Sequence, residues 1–217
     1  MRRAKRLPLD ELAPYLLIPP EPPTRIDWRA VFGNDHPVEL EIGFGKGLFL
    51  LNASQASPHA NFVGIEILRK YQLYAATRFA KRGLKNVRLV KADAREFLRD
   101  YVSDQSFQAI HVYFPDPWWK KRHMKRRVFM TDFAAQCERT LSSGGRLCVV
   151  TDVADYFTVI CELLAQHTRL KGLHPGVEPR LSLDRKEPAH DLDYLTNFER
   201  KFRKEGRAIH RCIYVKP

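Results

Sequence analysis

Val38-Glu39-Leu40-Glu41-Ile42 alternates apolar and acidic positions until Gly43-Phe44-Gly45-Lys46-Gly47 breaks the pattern, which predicts a short strand ending in a turn. Strand-like runs recur at residues 61–65, 87–90, 107–113, 146–150 and 208–215. The run at 107–113 is nearly continuous in apolar residues, as in a strand buried on both faces. Helical spacing of apolar positions fills the intervals, at 48–54, 68–81, 94–99, 129–140 and 153–167, with a further short helix near 194–202. Gly83 stands where the second of these helices should stop. Strands alternating with helices predict an α/β fold with right-handed crossovers and a doubly wound, mainly parallel sheet. Ligands of such sheets bind outside the carboxyl ends of the strands.

The first 27 residues break this rhythm. They hold six of the 14 prolines, at 8, 14, 19, 20, 22 and 23, which oppose a helix or a central strand. The expectation is an extended, basic arm over residues 1–27 followed by a single domain over 28–217. A chain of 217 residues is long enough for one such domain with a substantial core. Residues 172–193, rich in proline and charge, read as a loop.

Composition narrows the class. The chain is 44% hydrophobic and 29% charged, with a net charge of +12 that favours a polyanionic partner. Arg2, Arg3, Lys5 and Arg6 supply part of the excess. Cys137, Cys148, Cys161 and Cys212 lie far apart with no Cys-x-x-Cys pair, which argues against a zinc site or disulfide framework and for a reducing cytosol. The eight histidines show no ligand spacing, and His111 inside an apolar run reads as a packed residue. Without an apolar run long enough for a signal peptide or membrane span, the expectation is a cytoplasmic protein that needs neither metal nor membrane.

Candidate chemistry collects at the predicted strand ends. The glycines of residues 43–47 permit a sharp turn and close backbone approach to a ligand, so Gly43 is expected to contact a cofactor through its backbone. Their spacing differs from the dinucleotide pattern Gly-x-Gly-x-x-Gly. Glu66, closing the second strand, is placed to accept hydrogen bonds from ribose hydroxyls. Asp93, after the third, either meets an adenine edge or caps the helix that follows. After the fourth strand, Phe114-Pro115-Asp116-Pro117-Trp118-Trp119 runs into Lys120, Lys121, Arg122, His123, Lys125, Arg126 and Arg127. That stretch combines a proline-restrained carboxylate, flat aromatic surfaces and a phosphate-binding cluster. Asp152, after the fifth strand, either contacts substrate or caps a helix. Thr196 and Glu199 have capping-box spacing, which is compatible with substrate contact.

Glu-x-Gly-x-Gly-x-Gly at 41–47, Gly64-Ile65-Glu66 and Asp93 resemble a class I S-adenosylmethionine-dependent methyltransferase. The basic motif at 114–127, Thr151-Asp152 and Thr196-Asn197-Phe198-Glu199 narrow the resemblance to the bacterial tRNA (guanine-N7-)-methyltransferase family. Trp119 departs from that motif, where proline or a polar residue is more common. The resemblance implies a Rossmann-like, seven-stranded sheet with its last strand antiparallel. It implies methyl transfer from S-adenosyl-L-methionine to N7 of guanine 46 in the tRNA variable loop, leaving S-adenosyl-L-homocysteine, by a monomer or homodimer. It assigns cofactor contacts to Glu41, Glu66, Asp93 and Asp116. It places tRNA or guanine contacts at Lys120, Asp152 and Thr196 to Glu199, with Arg122, His123, Lys125, Arg126 and Arg127 on the RNA. Asp116 is the expected catalytic residue. An amino-group methyltransferase is the enzymatic rival, but its Asp/Asn-Pro-Pro-aromatic turn is not matched by the single proline between Asp116 and Trp118. An RNA-binding protein without catalysis and an NAD-dependent dehydrogenase are the other readings.

Overall fold

The computed structural model describes residues 6–173 and 196–217. The N-terminal part comprises helix α1 (Leu9–Leu12), a 3₁₀ turn (Ala13–Tyr15), strand β1 (Leu16–Leu17) and helix α2 (Trp28–Phe32). The alternating body follows as β2 (Val38–Ile42), α3 (Leu48–Ala56), β3 (Asn61–Glu66), α4 (Arg69–Ala80), β4 (Val87–Lys91) and α5 (Ala94–Tyr101). It continues through β5 (Phe107–Tyr113), a 3₁₀ helix (Lys121–Arg126), α6 (Thr131–Thr140), β6 (Leu141–Thr151) and α7 (Ala154–His167). Strand β7 (Lys171–Gly172), helix α8 (Asn197–Lys204) and strand β8 (His210–Val215) complete it.

The strand order is β1-β4-β3-β2-β5-β6-β8-β7. Strands β1 to β6 run parallel, and β8 is antiparallel to β6, as expected of the last strand. The sheet has eight strands among the described residues where seven were expected. Six of the eight are the strand runs read from the sequence; the other two are the two-residue β1 and β7, and two residues carry no periodicity to detect. Gly144 and Gly145, just ahead of the run at 146–150, are absorbed into β6, where the register with β5 shifts from Phe107↔Leu141 to Ala109↔Arg146.

Apolar residues on one sheet face pack against α1, α3 and α4, around Leu12, Phe49, Phe62 and Phe79. The other face is covered by α5, α6 and α7 around Phe97, Phe107, Phe133 and Ile160. The expectation of a wholly extended arm is corrected over Leu9–Leu17. Leu12 is fully buried, and Leu16 pairs with Leu89 of β4. Pro8 caps α1 and Pro14 opens the 3₁₀ turn, positions where a missing N–H costs nothing. The basic tip at Arg2, Arg3 and Lys5 lies outside the described residues, as do most of the 172–193 loop and the expected helix start at Tyr194. No described helix is long and apolar enough to cross a membrane.

His111, on β5, is a packed residue with two partners. Its Nε2 lies 3.0 Å from Glu39 Oε2 and its Nδ1 2.7 Å from the Tyr113 hydroxyl. Burial alone would lower its pKa, but hydrogen bonds to Cys148 and Glu39 overcome this and push it to about 10.

Candidate functional site

The parallel strands bring residues 43–47, Glu66, Asp93, Asp116 and Asp152 to one edge of the sheet. From β2 the chain winds outward through β3 and β4, then returns to place β5 on the other side of β2. The crevice between β2 and β5 is therefore the topological switch point. Glu41 and the glycine turn flank it on one side, and the Asp116 turn on the other.

Gly43, Gly45 and Gly47 have φ of +73°, +51° and +64°, which strain any side-chain-bearing residue. A Cβ added at Gly43 or Gly45 would meet nothing within 4 Å, so the space over the turn is open. At Gly47 a Cβ would sit 2.9 Å from Ala75 Cβ, so the turn is pressed against α4. Glu66 braces it: Oε2 accepts the Gly45 N–H (3.1 Å) and Oε1 the Leu68 N–H (3.0 Å).

Glu41 is 3% exposed, and its Oε2 has no hydrogen-bond partner. Burial pushes its pKa up to about 8, and the nearby Glu66 adds to the rise while His111 opposes it. An orphaned buried acceptor beside an open, glycine-lined turn fits a ligand rich in hydroxyl or ammonium donors, as S-adenosylmethionine is. Between its unfolded and folded pKa the Glu41 carboxyl binds more protons when folded, so its contribution to stability falls as pH rises from about 4.5 to about 8. Glu41→Gln should therefore melt a few degrees above the parent at pH 8, with the gap closing toward pH 5. Melting curves across that range, without ligand, check the sign.

Asp93 realises its capping alternative. It accepts the Arg95 N–H (2.9 Å) and pairs with the Arg95 guanidinium (3.2 Å). Burial would raise its carboxyl, but these bonds outweigh it and hold the pKa below the ordinary value. Arg95 also reaches the Lys125 carbonyl (3.3 Å), so it joins the Asp93 corner to the basic segment.

The Asp116 turn is held under strain. Phe114 and Trp118 have φ of +53° and +41°, in the left-handed region that non-glycine residues avoid. The Phe114 N–H bonds the Val150 carbonyl (2.6 Å). Arg127 Nε donates to the Pro117 carbonyl (2.5 Å). Asp116 makes no hydrogen bond or ion pair with the described residues, and desolvation by the surrounding lip raises its pKa.

The basic segment divides. Lys120, Arg122, Lys125 and Arg126 are exposed, as phosphate-binding side chains must be. Half-buried His123 instead meets the Trp118 ring edge-on at 5.5 Å, and Arg126 lies 5.3 Å over the same ring. Arg127, expected on the RNA, is corrected: it is 8% exposed, with its guanidinium 4.8 Å over Trp119 and 5.4 Å over Tyr156. Nothing in the local charge run distinguishes it from Arg126.

Asp152 and residues 196–199 form the far wall. Asp152 pairs with Arg207, whose guanidinium lies 4.2 Å over Phe202. The α7 cap falls on Val153, so Asp152 is not the cap. Thr196 is the cap of α8, with Oγ1 accepting the Glu199 N–H (3.0 Å). Glu199 is 4% exposed and its Oε1 accepts from Arg203 and Arg211, each at 2.9 Å. Asn197 is half-buried and Phe198 exposed, and Phe198 and Phe202 lie against the Phe114 ring at 6.1 and 5.3 Å. This aromatic contact connects α8 to the Asp116 turn. Arg95, Tyr156, Arg203, Arg207 and Arg211 hold the site together, and no motif reading singled them out.

A family model described as a putative methyltransferase matches residues 35–212. The tRNA (guanine-N(7)-)-methyltransferase of Rhodopirellula baltica is 42% identical over 214 residues, covering 96% of this chain and 77% of that protein. Among solved structures, the aminoglycoside resistance methyltransferase NpmB1 superposes with a TM-score of 0.58 at 17% identity, covering 83% of this chain and 87% of that one. A SAM-dependent O-methyltransferase of Thermotoga maritima gives 0.53 at 15% identity, covering 89% of this chain and 67% of that one. At such identities the likeness speaks for the fold alone, which is the class I methyltransferase fold that the motif resemblance implied.

Proposed function

The chain belongs to the tRNA (guanine-N(7)-)-methyltransferase family, and from that premise we propose that it methylates N7 of guanine 46 in the variable loop of tRNA, with S-adenosylmethionine as donor. The observation that carries this reading is the strained turn around Asp116, which sets a carboxylate without a partner among the described residues at the switch point and leads straight into exposed cations. Residues 28–217 would be the catalytic domain, working in the cytoplasm as a monomer or homodimer.

S-adenosylmethionine, when bound, supplies a methyl group on a positively charged sulfur. Glu41 would accept a donor of that ligand at its orphaned oxygen. The backbone of Gly43 to Gly47 would lie against it, and Glu66 and Asp93 would border its ribose and adenine. Guanine N7 carries a lone pair and no proton, so the chain needs no general base to form the nucleophile. Orientation can then provide most of the acceleration, at effective molarities of about 10⁵ M or more. The Asp116 carboxylate would hold the donor edge of guanine and stabilise the positive charge that develops on the purine. Lys120, Arg122, Lys125 and Arg126 would bind phosphates, and Asp152 with residues 196–199 would close the far side of the base.

Incubation with labelled S-adenosylmethionine and an unmodified tRNA transcript, followed by cleavage at 7-methylguanosine, tests the reading. Cleavage at position 46, lost when that guanine is replaced, is the expected result. Label on another atom or position would overturn it.

A further inference from the structure

We propose that the outer face of α4, together with Arg6, is a second RNA-phosphate-binding surface, across the glycine turn from the Asp116 lip. Residues 67–92 contain eight lysines and arginines and no aspartate or glutamate, in a chain with 25 carboxylates. Lys70, Tyr74, Thr77, Arg78 and Lys81 recur at the spacing of one helix face. With Arg6 and Arg82 they border a cavity of about 250 Å³ that no carboxylate of the described residues lines. Asp10 and Glu11 lie on the adjacent α1 but do not line it.

The hydrogen bonding of Arg78 and Arg82 differs from that of three other surface arginines. Arg29, Arg99 and Arg169 are each paired with a carboxylate. Arg78 instead donates to the Lys46 carbonyl (2.8 Å), and Arg82 to the Arg78 carbonyl (3.2 Å), so their charge is left uncompensated by these bonds. Arg78 and Arg82, four residues apart, repel each other until a polyanion neutralises them. Tyr74, 38% exposed, adds a flat surface among them. The track starts with Lys70 beside the site mouth and runs about 18 Å to Arg82, at 1.5 Å per residue. Its link to Lys46 makes it continuous with the glycine turn. An RNA seated on the lip cations would touch this track by spanning the mouth, which places the reacting base between two anchored stretches of backbone.

This inference rests on the tRNA-methyltransferase reading, so its test keeps the two apart. Lys70→Gln/Lys81→Gln/Arg82→Gln leaves Arg78, and hence the glycine turn, untouched. A charge-matched control, Arg29→Gln/Arg169→Gln/Lys171→Gln, removes cations near the amino ends of the strands. Binding of an unmodified tRNA transcript is measured against salt, alongside S-adenosylmethionine affinity and kcat at saturating tRNA. The α4 variant should weaken tRNA binding about tenfold at 0.1 M salt and reduce the log–log salt slope by about two. Cofactor affinity and kcat should stay within twofold, and the control should leave the slope near that of the parent. If the parent methylates tRNA but the α4 variant keeps its slope, or the control loses as much, the surface is not on the RNA path and only this inference falls. A parent that binds no tRNA overturns the enzymatic reading and this inference together.

Discussion

Asp116→Asn is expected to lower kcat for guanine methylation by about 10²–10³-fold while tRNA affinity changes no more than a few-fold. The magnitude is that of removing one preorganised electrostatic contact from a charge-developing transition state. Asparagine keeps the size of the side chain and its place between Pro115 and Pro117, so the loss isolates the negative charge. Binding is spared because the cations at Lys120, Arg122, Lys125 and Arg126 are exposed and separate from the carboxylate. Desolvation raises the Asp116 pKa, so the ionised form is reached at a higher pH than for a free aspartate. The acid limb of kcat should therefore lie at higher pH than for a free aspartate, and should vanish in the variant. Single-turnover methylation with bound tRNA measures both. Full activity in Asp116→Asn would remove the carboxylate from the mechanism.

Arg127→Ala is expected to be nearly as damaging, by a different route. The guanidinium lies against both the Trp119 and Tyr156 rings, which meet each other edge to face at 6.1 Å, and bonds the Pro117 carbonyl, next to the strained Trp118. Its removal leaves a cavity and an unbonded carbonyl, a stability loss of about 2–3 kcal/mol. The turn is then free to relax, and a displacement of about 1 Å at the reacting group costs about 10²-fold in kcat. The salt slope of tRNA binding should not change. Arg126→Ala, one residue earlier but exposed, should do the reverse: kcat kept and the slope reduced by about one. Arg127→Lys should fail to rescue, because an ammonium cannot both bond the carbonyl and cover two rings. Thermal melts, kcat and salt titrations on the three variants separate the roles. An Arg127→Ala protein that behaves like Arg126→Ala would return Arg127 to the RNA.

Most of the architecture was legible because it rests on local patterns. The alternation in residues 38–42, the glycines at 43, 45 and 47, and the helical spacing after each strand are short-range signals, and the elements fall within a few residues of the expected bounds. Two-residue strands escaped notice because no period fits in them. Leu12 and Leu16 were missed for another reason: prolines dominated the reading of their segment, although proline at a helix start is compatible with the fold. That Glu41, Glu66, Asp93 and Asp116 gather at one edge was legible, since strand ends in a parallel sheet converge there. Whether Asp93 and Thr196 cap helices was open until their hydrogen bonds were seen.

Sequence alone determined the element order, the fold class and the chemical character of the lip, because hydrophobic period, turn chemistry and charge are properties of neighbouring residues. Tertiary structure decided which charges face the solvent and which are internal braces. Arg126 and Arg127 are adjacent and chemically identical, yet one lies on the surface and the other is buried against Trp119 and Tyr156. Asp152 meets Arg207, and Glu199 meets Arg211, only when α7, α8 and β8 are packed. The cost of burying a charge depends on partners brought from distant parts of the chain, and a local run of residues carries no record of them.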